Sequence, residues 1–299
     1  MLETTLSMPP GRCLPGLHGA QRVGMPQLAL NGLSETWLLA DCGDRHWQLL
    51  AAASGASIAQ LRDGRQRRVY PAFRALRLRH GALDGVREDD VLQIDSTLGR
   101  VSRTQFCSKH VISTAGGGLC AVVEMLSVFV ARERAGVNTS AVRSPVPGFE
   151  HVPQMEEGLG LAAVARKTRG HDADARFGRI GHSYAPVHVQ PCPSIHFNGA
   201  GFLYFARFPE LADQAEWAWF GPRASSSLTT ERQLIYHGNA NVGTPLVVHL
   251  AGFDPDNPLH HHCQIVRGDD KQVIADITTR KRPRHDAQSF LDTLFEPQA

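Results

Sequence analysis

A sequence design that occurs twice, once in each half of the chain, limits the possible folds more than any other feature. LNGLSETWLLADCGDRHW (30–47) and FNGAGFLYFARFPELADQAEW (197–217) each combine an apolar residue, Asn-Gly, a short apolar segment with helical spacing, and a charged turn before Trp. A strand with the pattern RQxxxY or nearly so follows in each half, at 65–70 and at 232–236. The order is the same in both halves, so an internal duplication is the simplest explanation.

Helical spacing predicts a short helix after each Asn-Gly pair. In the first half, Ser34 suits the N-cap, and Gly43-Asp44 is expected to end the helix. In the second half, the segment 202–208 is apolar on nearly every face, so it must be covered on all sides. Each Asn-Gly pair is therefore expected to mark the entry to a buried central helix.

Strand patterns follow each of these helices. RALRLRHG (74–81) alternates Leu with Arg, which is the period of a half-buried strand. Further strands are predicted in 89–114 and 116–134, and again in 228–253 and 260–282, where Gly268-Asp269-Asp270 marks a hairpin.

One buried helix wrapped by a long antiparallel sheet is the hot-dog fold. The sequence therefore predicts an α+β double hot-dog, two tandem domains whose sheets pair edge to edge and close off exposed edges. We expect an irregular lead-in over 1–20, an N-terminal hot-dog domain over 21–160, a connection over 161–190 and a C-terminal hot-dog domain over 191–299.

Composition excludes several classes of protein. No apolar segment approaches the ~20 residues of a membrane helix, and a net charge of +2 is too small to suggest nucleic acid. Six scattered cysteines without a CxxC pair argue against zinc and against a disulfide framework. The N-terminus does not resemble a secretory signal, so the expected location is the cytoplasm.

Motifs for other chemistries are incomplete. The run His260-His261-His262 cannot point three side chains at one metal ion from a regular strand. AGGGL (115–119) lacks the Lys of a phosphate-binding loop, and the serines have no nucleophile-elbow context. The sequence predicts neither a metal nor a cofactor.

Five segments carry a resemblance to a known family. GMPQLALNGLSETWLLADCGDRHW, RRVYPAF, MLSVFVAR, FNGAGFLYFARFPELADQAEW and RQLIYHGNAN resemble the double hot-dog acyltransferase/decarboxylase family of leinamycin polyketide biosynthesis. The resemblance covers roughly residues 20–280, and GDRHW and NGAGFLYF are its more specific parts.

The resemblance implies a bifunctional reaction on methylmalonyl-CoA. A tyrosine takes the acyl group from CoA as an ester, the group is decarboxylated, and propionyl passes to the phosphopantetheine thiol of an acyl carrier protein. RVYPAF places that role on Tyr70, and Tyr236 is the rival because the duplication assigns it to the corresponding strand. Malonyl and succinyl remain alternative acyl groups.

Decarboxylation also needs hydrogen-bond donors for the enolate oxygen. Backbone N–H groups near Gly32 or Gly199, at the expected helix starts, and the side-chain amides of Asn31 and Asn198 are candidates. His46, in GDRHW, is a candidate proton donor or acceptor.

Two other functions stay open. A hot-dog thioesterase or dehydratase acting on CoA-bound or carrier-bound chains would use Glu216 or His46 as base, and Glu35 is a further acidic candidate. A noncatalytic duplicate would only bind acyl carriers. The expected partners are acyl-CoA and an acyl carrier protein, with arginines in 65–79 as a docking surface for their negative charge, and a homodimer is compatible with the fold.

Overall fold

The structure is a computed structural model that describes residues 4–8, 13–167, 177–179 and 184–286. Its strands are β1 (Thr4–Ser7), β2 (Gly16–Arg22), β3 (Leu28–Ala29), β4 (Gly32–Leu33), β5 (Tyr70–Arg79), β6 (Val91–Ser102), β7 (Gln105–Thr114), β8 (Leu119–Arg132), β9 (Ala141–Arg143), β10 (Gly178–Arg179), β11 (Val187–Val189), β12 (Ser227–Tyr236), β13 (Leu246–Asp254), β14 (Asn257–Arg267) and β15 (Val273–Pro283). Its helices are α1 (Glu35–Ser54), α2 (Glu157–Lys167), α3 (Pro193–His196), α4 (Phe208–Phe220) and α5 (Pro222–Ser225).

One antiparallel sheet joins both halves, in the order β1-β2-β6-β7-β8-β5-β12-β15-β14-β13-β10, with β9 on β8 and β11 on β13. Each half contributes a central helix followed by four strands, and β5, β6, β7 and β8 occupy the positions that β12, β13, β14 and β15 occupy in the other half. The predicted double hot-dog is confirmed by this topology.

The first central helix, α1, is longer than the sequence predicts. Ser34 caps it by accepting a hydrogen bond from the Trp37 amide at 3.3 Å, and Gly55 ends it with a φ of 66°. The expected end at Gly43-Asp44 was wrong, because Gly43 lies in the middle of the helix. A Cβ there would lie 2.4 Å from the Phe205 ring, so the glycine permits close contact between the halves.

The second central helix, α4, begins later than predicted. Residues 202–208 are not the helix: Leu203 forms an antiparallel bridge with Phe197, and Phe205–Arg207 form a 3-10 turn before α4 starts at Phe208. The apolar side chains of this segment are nevertheless covered, because Leu203, Phe205 and Ala206 belong to the main core.

That core is continuous across the two halves. It contains Leu38 and Leu39 of α1, Leu211 of α4, and Leu76 and Leu234 of the adjoining strands β5 and β12. The β5–β12 register pairs Leu76 with Leu234, which places the junction of the two sheets over both central helices.

Helix α2 was not predicted, because the segment before the second half shows little periodicity. Its Leu161, Ala162 and Ala165 pack in a second cluster against Ala75 and Ile235 of the two adjoining strands. The helix therefore covers the junction from the side opposite α1. No helix of the described residues is long and apolar enough to cross a membrane.

We predict opposite effects for alanine at two helical glycines. Gly43→Ala should destabilise the protein by about 1–3 kcal/mol, because overpacking against Phe205 outweighs the gain in helix propensity. Gly160→Ala in α2, where a Cβ meets no atom within 4 Å, should stabilise it by about 0.5–1 kcal/mol. Urea unfolding checks both values, and a stabilised Gly43→Ala protein would contradict the close contact.

Candidate functional site

The main cavity lies between the two halves and has a volume of about 510 Å³. Its walls come from the start of β5, the end of β8 and the residues after it, the loop before α4, and the residues that follow β12. Its lining includes Trp47, Arg68, Tyr70, Phe73, Arg74, Asn138, Asn198, Gly199, Phe202, Tyr204, Phe205, Tyr236, His237 and Asn239. Three predicted site residues, Tyr70, Asn198 and Gly199, therefore meet in one cavity.

Tyr70 lies between two cations. The guanidinium carbons of Arg68 and Arg132 lie 5.0 Å and 5.3 Å from its ring centroid, and the Phe202 ring packs edge-on at 5.3 Å. Burial lowers the pKa of Arg132, while the neighbouring Tyr70 side chain acts in the opposite direction. The two guanidinium groups and the Phe202 ring hold the Tyr70 side chain in place at the cavity wall.

Arg132 also holds the loop that contains Asn198 and Gly199. It donates to the Asn138 Oδ1 at 2.6 Å and 3.0 Å, and to the Ala200 carbonyl at 2.7 Å. The Asn198 Oδ1 accepts from the Ala200 amide at 3.0 Å, which makes this side chain a turn residue. The Arg132 side chain thus fixes the loop and the Tyr70 ring at the same time.

Aromatic side chains form the inner wall of the cavity. Phe73 contacts Phe205 at 4.4 Å and Trp47 at 6.0 Å between ring centroids, and Tyr204 contacts Phe205 at 4.8 Å. Trp47 lies in the GDRHW segment but was not predicted as a site residue. Its position directly after His46 in the sequence was the signal that could have identified it. An apolar wall of this kind suits an acyl chain or the departing carboxylate of a malonyl-type group.

His237 is a second lining residue that sequence reasoning missed. Its Nε2 lies 2.6 Å from Oδ2 of Asp276, a buried residue of β15. The two residues are 39 positions apart, and only the pairing of β12 with β15, which places Ile235 opposite Asp276, brings them together. No spacing pattern in the sequence could have indicated this contact.

Asn31 and Gly32 lie away from this cavity. Asn31 donates to the Ser225 carbonyl at 3.1 Å and accepts from Arg284 at 3.1 Å. Gly32 has a φ of 105°, and a Cβ there would lie 2.2 Å from the Leu83 carbonyl oxygen. Both residues line smaller clefts near the start of α1, so the structure does not bring them to Tyr70.

His46 is fully buried in a chain of hydrogen bonds. Its Nδ1 lies 2.7 Å from the Ser108 hydroxyl and its Nε2 lies 2.8 Å from the Ser127 hydroxyl, while His110 links Ser108 to Ser96. Burial lowers the pKa of His46 to about 3. The neutral imidazole fastens α1 to β7 and β8, and it is not among the residues that line the main cavity.

Tyr236, the rival tyrosine, lines the cavity, but its hydroxyl is buried and donates to the Phe205 carbonyl at 3.1 Å. Burial raises its pKa well above the usual range, so its phenolate is disfavoured. Tyr236 ends β12 whereas Tyr70 begins β5, so the two tyrosines do not occupy corresponding positions. The surroundings of Tyr70 are the more suitable for a nucleophile.

Glu35 and Glu216 belong to a buried ion cluster in a second cleft of about 260 Å³. Arg232 lies at its centre, 2.9 Å from Glu35 and 2.7 Å from Asp213, and Lys281 contacts Glu216. Burial raises the pKa of Glu35 to about 7, although Arg232 acts against it. Neither glutamate lines the main cavity, where the alternative hydrolase would need its base.

The three consecutive histidines point to different partners. His261 lies 3.3 Å from Glu216, whereas His262 lies 2.8 Å from Asp276. Among the residues that the structure describes, no group of three or more His, Cys, Asp or Glu side chains is arranged to hold a metal ion.

Two solved structures share this architecture over almost their whole length. The chain aligns with an acyl-ACP thioesterase from Bacteroides thetaiotaomicron at a TM-score of 0.64 and 10% identity, covering 89% of this chain and 98% of that one. It aligns with a 12:0-ACP thioesterase from Umbellularia californica at a TM-score of 0.61 and 10% identity, covering 90% and 98%. Likeness at this identity shows the fold, which is the double hot-dog.

Sequence comparison adds nothing to this result, because no protein-family model and no curated protein matches the chain.

We predict that His46 makes stability depend on pH. Between about pH 6.5 and pH 3, the unfolded chain binds a proton that the folded His46 does not, so stability falls as pH falls, by up to about 1.4 kcal/mol per pH unit. His46→Gln should therefore give a shallower dependence between pH 7.5 and pH 5 in urea unfolding. His188→Gln, at an exposed position of β11, should leave the slope unchanged, and equal slopes for all three proteins would refute the assignment.

Proposed function

We propose that the protein is an enzyme that acts on acyl thioesters of CoA or of an acyl carrier protein, with the acyl group in the main cavity. The observation that carries this proposal is the position of Tyr70, which lies between Arg68 and Arg132 in a large, partly aromatic cavity between the halves. An apolar wall beside a charged, nucleophile-bearing wall fits a substrate with an apolar acyl chain and an electrophilic carbonyl.

Transfer of the acyl group through Tyr70 is the first candidate reaction, as the leinamycin-type resemblance implies. The phenol oxygen attacks the thioester carbonyl, the C–S bond breaks, and the thiol of CoA leaves. The phosphopantetheine thiol of a carrier protein then attacks the tyrosyl ester and restores the phenol. In the decarboxylating version, a malonyl-type group loses carbon dioxide while it is bound, and hydrogen-bond donors near Asn198 and Gly199 stabilise the enolate. The enolate carbon then takes up a proton from water, which gives the saturated acyl group.

Hydrolysis is the second candidate reaction, and the solved structures favour it. Both structural neighbours are acyl-ACP thioesterases, and they share the fold of this chain over 89% and 90% of its length. In this reaction water attacks the thioester carbonyl directly, the C–S bond breaks, and the free acid and the thiol are released. Glu216 and His46 are poorly placed as bases for it, because both lie in buried networks outside the cavity.

The cationic entrance suits the carrier of the acyl group. Arg68 is exposed, lines the cavity and has no carboxylate partner among the described residues. CoA and phosphopantetheine both contain phosphate, and the planar guanidinium binds two phosphate oxygens at once. We propose that Arg68 lies where the phosphate-bearing arm enters.

We predict that Tyr70→Phe abolishes acyl transfer, by about 10³-fold or more, because the substitution removes only the attacking oxygen. The wild type and the variant are incubated with malonyl-, methylmalonyl-, succinyl- and propionyl-CoA and a holo carrier protein, and intact masses of both proteins are followed. Acyl mass on the wild-type enzyme and then on the carrier supports transfer, and the mass gained reports any loss of carbon dioxide.

Two matched controls accompany this experiment. Tyr184→Phe, which removes a hydroxyl outside the cavity, should leave the rate unchanged. Tyr236→Phe removes a buried hydrogen bond, so it should lower the melting temperature while acyl transfer continues. If the carrier stays unmodified and free acid accumulates with both wild type and Tyr70→Phe, hydrolysis is the reaction. If no thioester is consumed, the proposed function is wrong.

A further inference from the structure

His237 is held at the wall of the cavity from both its main chain and its side chain. Its amide donates to the Ile274 carbonyl at 2.8 Å, and its imidazole Nε2 lies 2.6 Å from the Asp276 carboxylate. The side chain is only 15% exposed, yet it lines the cavity. This is the arrangement of an oriented imidazole rather than of a surface histidine.

Asp276 determines which nitrogen of His237 carries the proton. It is buried, and it also accepts hydrogen bonds from the His262 Nε2 at 2.8 Å and the Gln264 Nε2 at 2.9 Å. Burial raises the pKa of Asp276, but the hydrogen bonds from His237, His262 and Gln264 outweigh this effect and hold it well below the usual range. An ionised carboxylate can only accept, so the Nε2 of His237 donates and its Nδ1 keeps the lone pair.

The sheet register brings this imidazole to the same end of the cavity as Tyr70. Strands β5 and β12 are antiparallel and pair Ala75 with Ile235, so the start of β5 runs alongside the residues that follow β12. Arg74 joins the two walls there, because its guanidinium donates to the carbonyl of Tyr236, the residue before His237.

From this geometry we propose that His237 is the general base and acid of the site, and that Asp276 is the residue that positions it. The inference rests on the proposed function. It differs from the sequence prediction, which placed this role on His46 or Glu216. The same imidazole serves either candidate reaction, because each begins by removing a proton from an attacking O–H or S–H group.

The proton balance is the same in each step. In transfer, the Tyr70 hydroxyl gives its proton to His237 as its oxygen bonds to the acyl carbon, and His237 returns the proton to the departing thiolate. The carrier thiol then gives its proton to His237, and the Tyr70 phenolate takes it back as the ester breaks. In hydrolysis, water gives the first proton and the thiolate receives it.

The charged groups around His237 are few. Asp276 and His262 face it from β15 and β14, and Arg74 of β5 reaches the carbonyl before it. Arg267 donates to the Asn239 carbonyl at 2.8 Å and is paired with Asp270. Because His237 is the proposed base, the pH dependence of the rate should change when this histidine is replaced.

The test uses His237→Gln, His237→Ala and Asp276→Asn, with His188→Gln as a matched control on an exposed strand. Release of free thiol from acyl-CoA is measured between pH 5.5 and 8.5, with melting temperatures to confirm folding. We expect His237→Gln to lower kcat by about 10²–10⁴-fold and to change the pH profile of thiol release, while His188→Gln retains the wild-type rate and profile. Added imidazole should restore part of the activity of His237→Ala, because a small base can occupy the space.

Asp276→Asn should lower kcat with little change in KM, because the amide no longer fixes the proton on Nε2. A folded His237→Gln protein with the wild-type rate and pH profile overturns the inference and leaves the proposed function standing. A His237→Ala protein that is inactive and unaffected by imidazole also overturns it, because the histidine would then be structural. Wild-type protein that consumes no thioester overturns both proposals.

Discussion

The antiparallel pairing of β5 with β12 is the contact on which the rest of the structure depends. It joins two copies of one unit into a single sheet and removes the unpaired edge that each copy would otherwise expose. It also sets the start of each of these strands beside the end of the other. The main cavity forms at one of these junctions, where β5 contributes Tyr70 and the residues after β12 contribute His237.

The same geometry produces a second cleft at the other junction, with different contents. There the start of β12 meets the loop before α1, and Glu35, Glu216 and Lys281 line a smaller cleft around the buried Arg232. The charged side chains of this cleft are paired with one another, whereas the walls of the main cavity are aromatic and cationic. The two junctions are equivalent in the topology of the sheet, but the side chains that line them differ.

The sequence predicted most of the fold because its signals are local. Alternating Leu and Arg in β5, the Ser34 cap and the Gly-Asp-Asp hairpin depend on neighbouring residues. The predicted helix lengths were wrong where a distant contact decides them. Gly43 has the sequence signal of a helix end, but it is a glycine because the Phe205 ring packs against it. Tyr70 was proposed from a family resemblance and Asn198 from its place before the expected second helix. The partnership of His237 with Asp276 depends on strand register, which no spacing in the sequence encodes.

The buried ion cluster around Arg232 links the two copies through an ion pair. Glu35 comes from the first copy and Arg232 from the second, and the carboxylate lies 2.9 Å from a guanidinium that is entirely enclosed. Without the second copy, Glu35 would lose the guanidinium that lies against it, whereas Arg232 would keep Asp213 of its own copy at 2.7 Å. The burial of Glu35 in the first copy therefore depends on a charge that the second copy supplies.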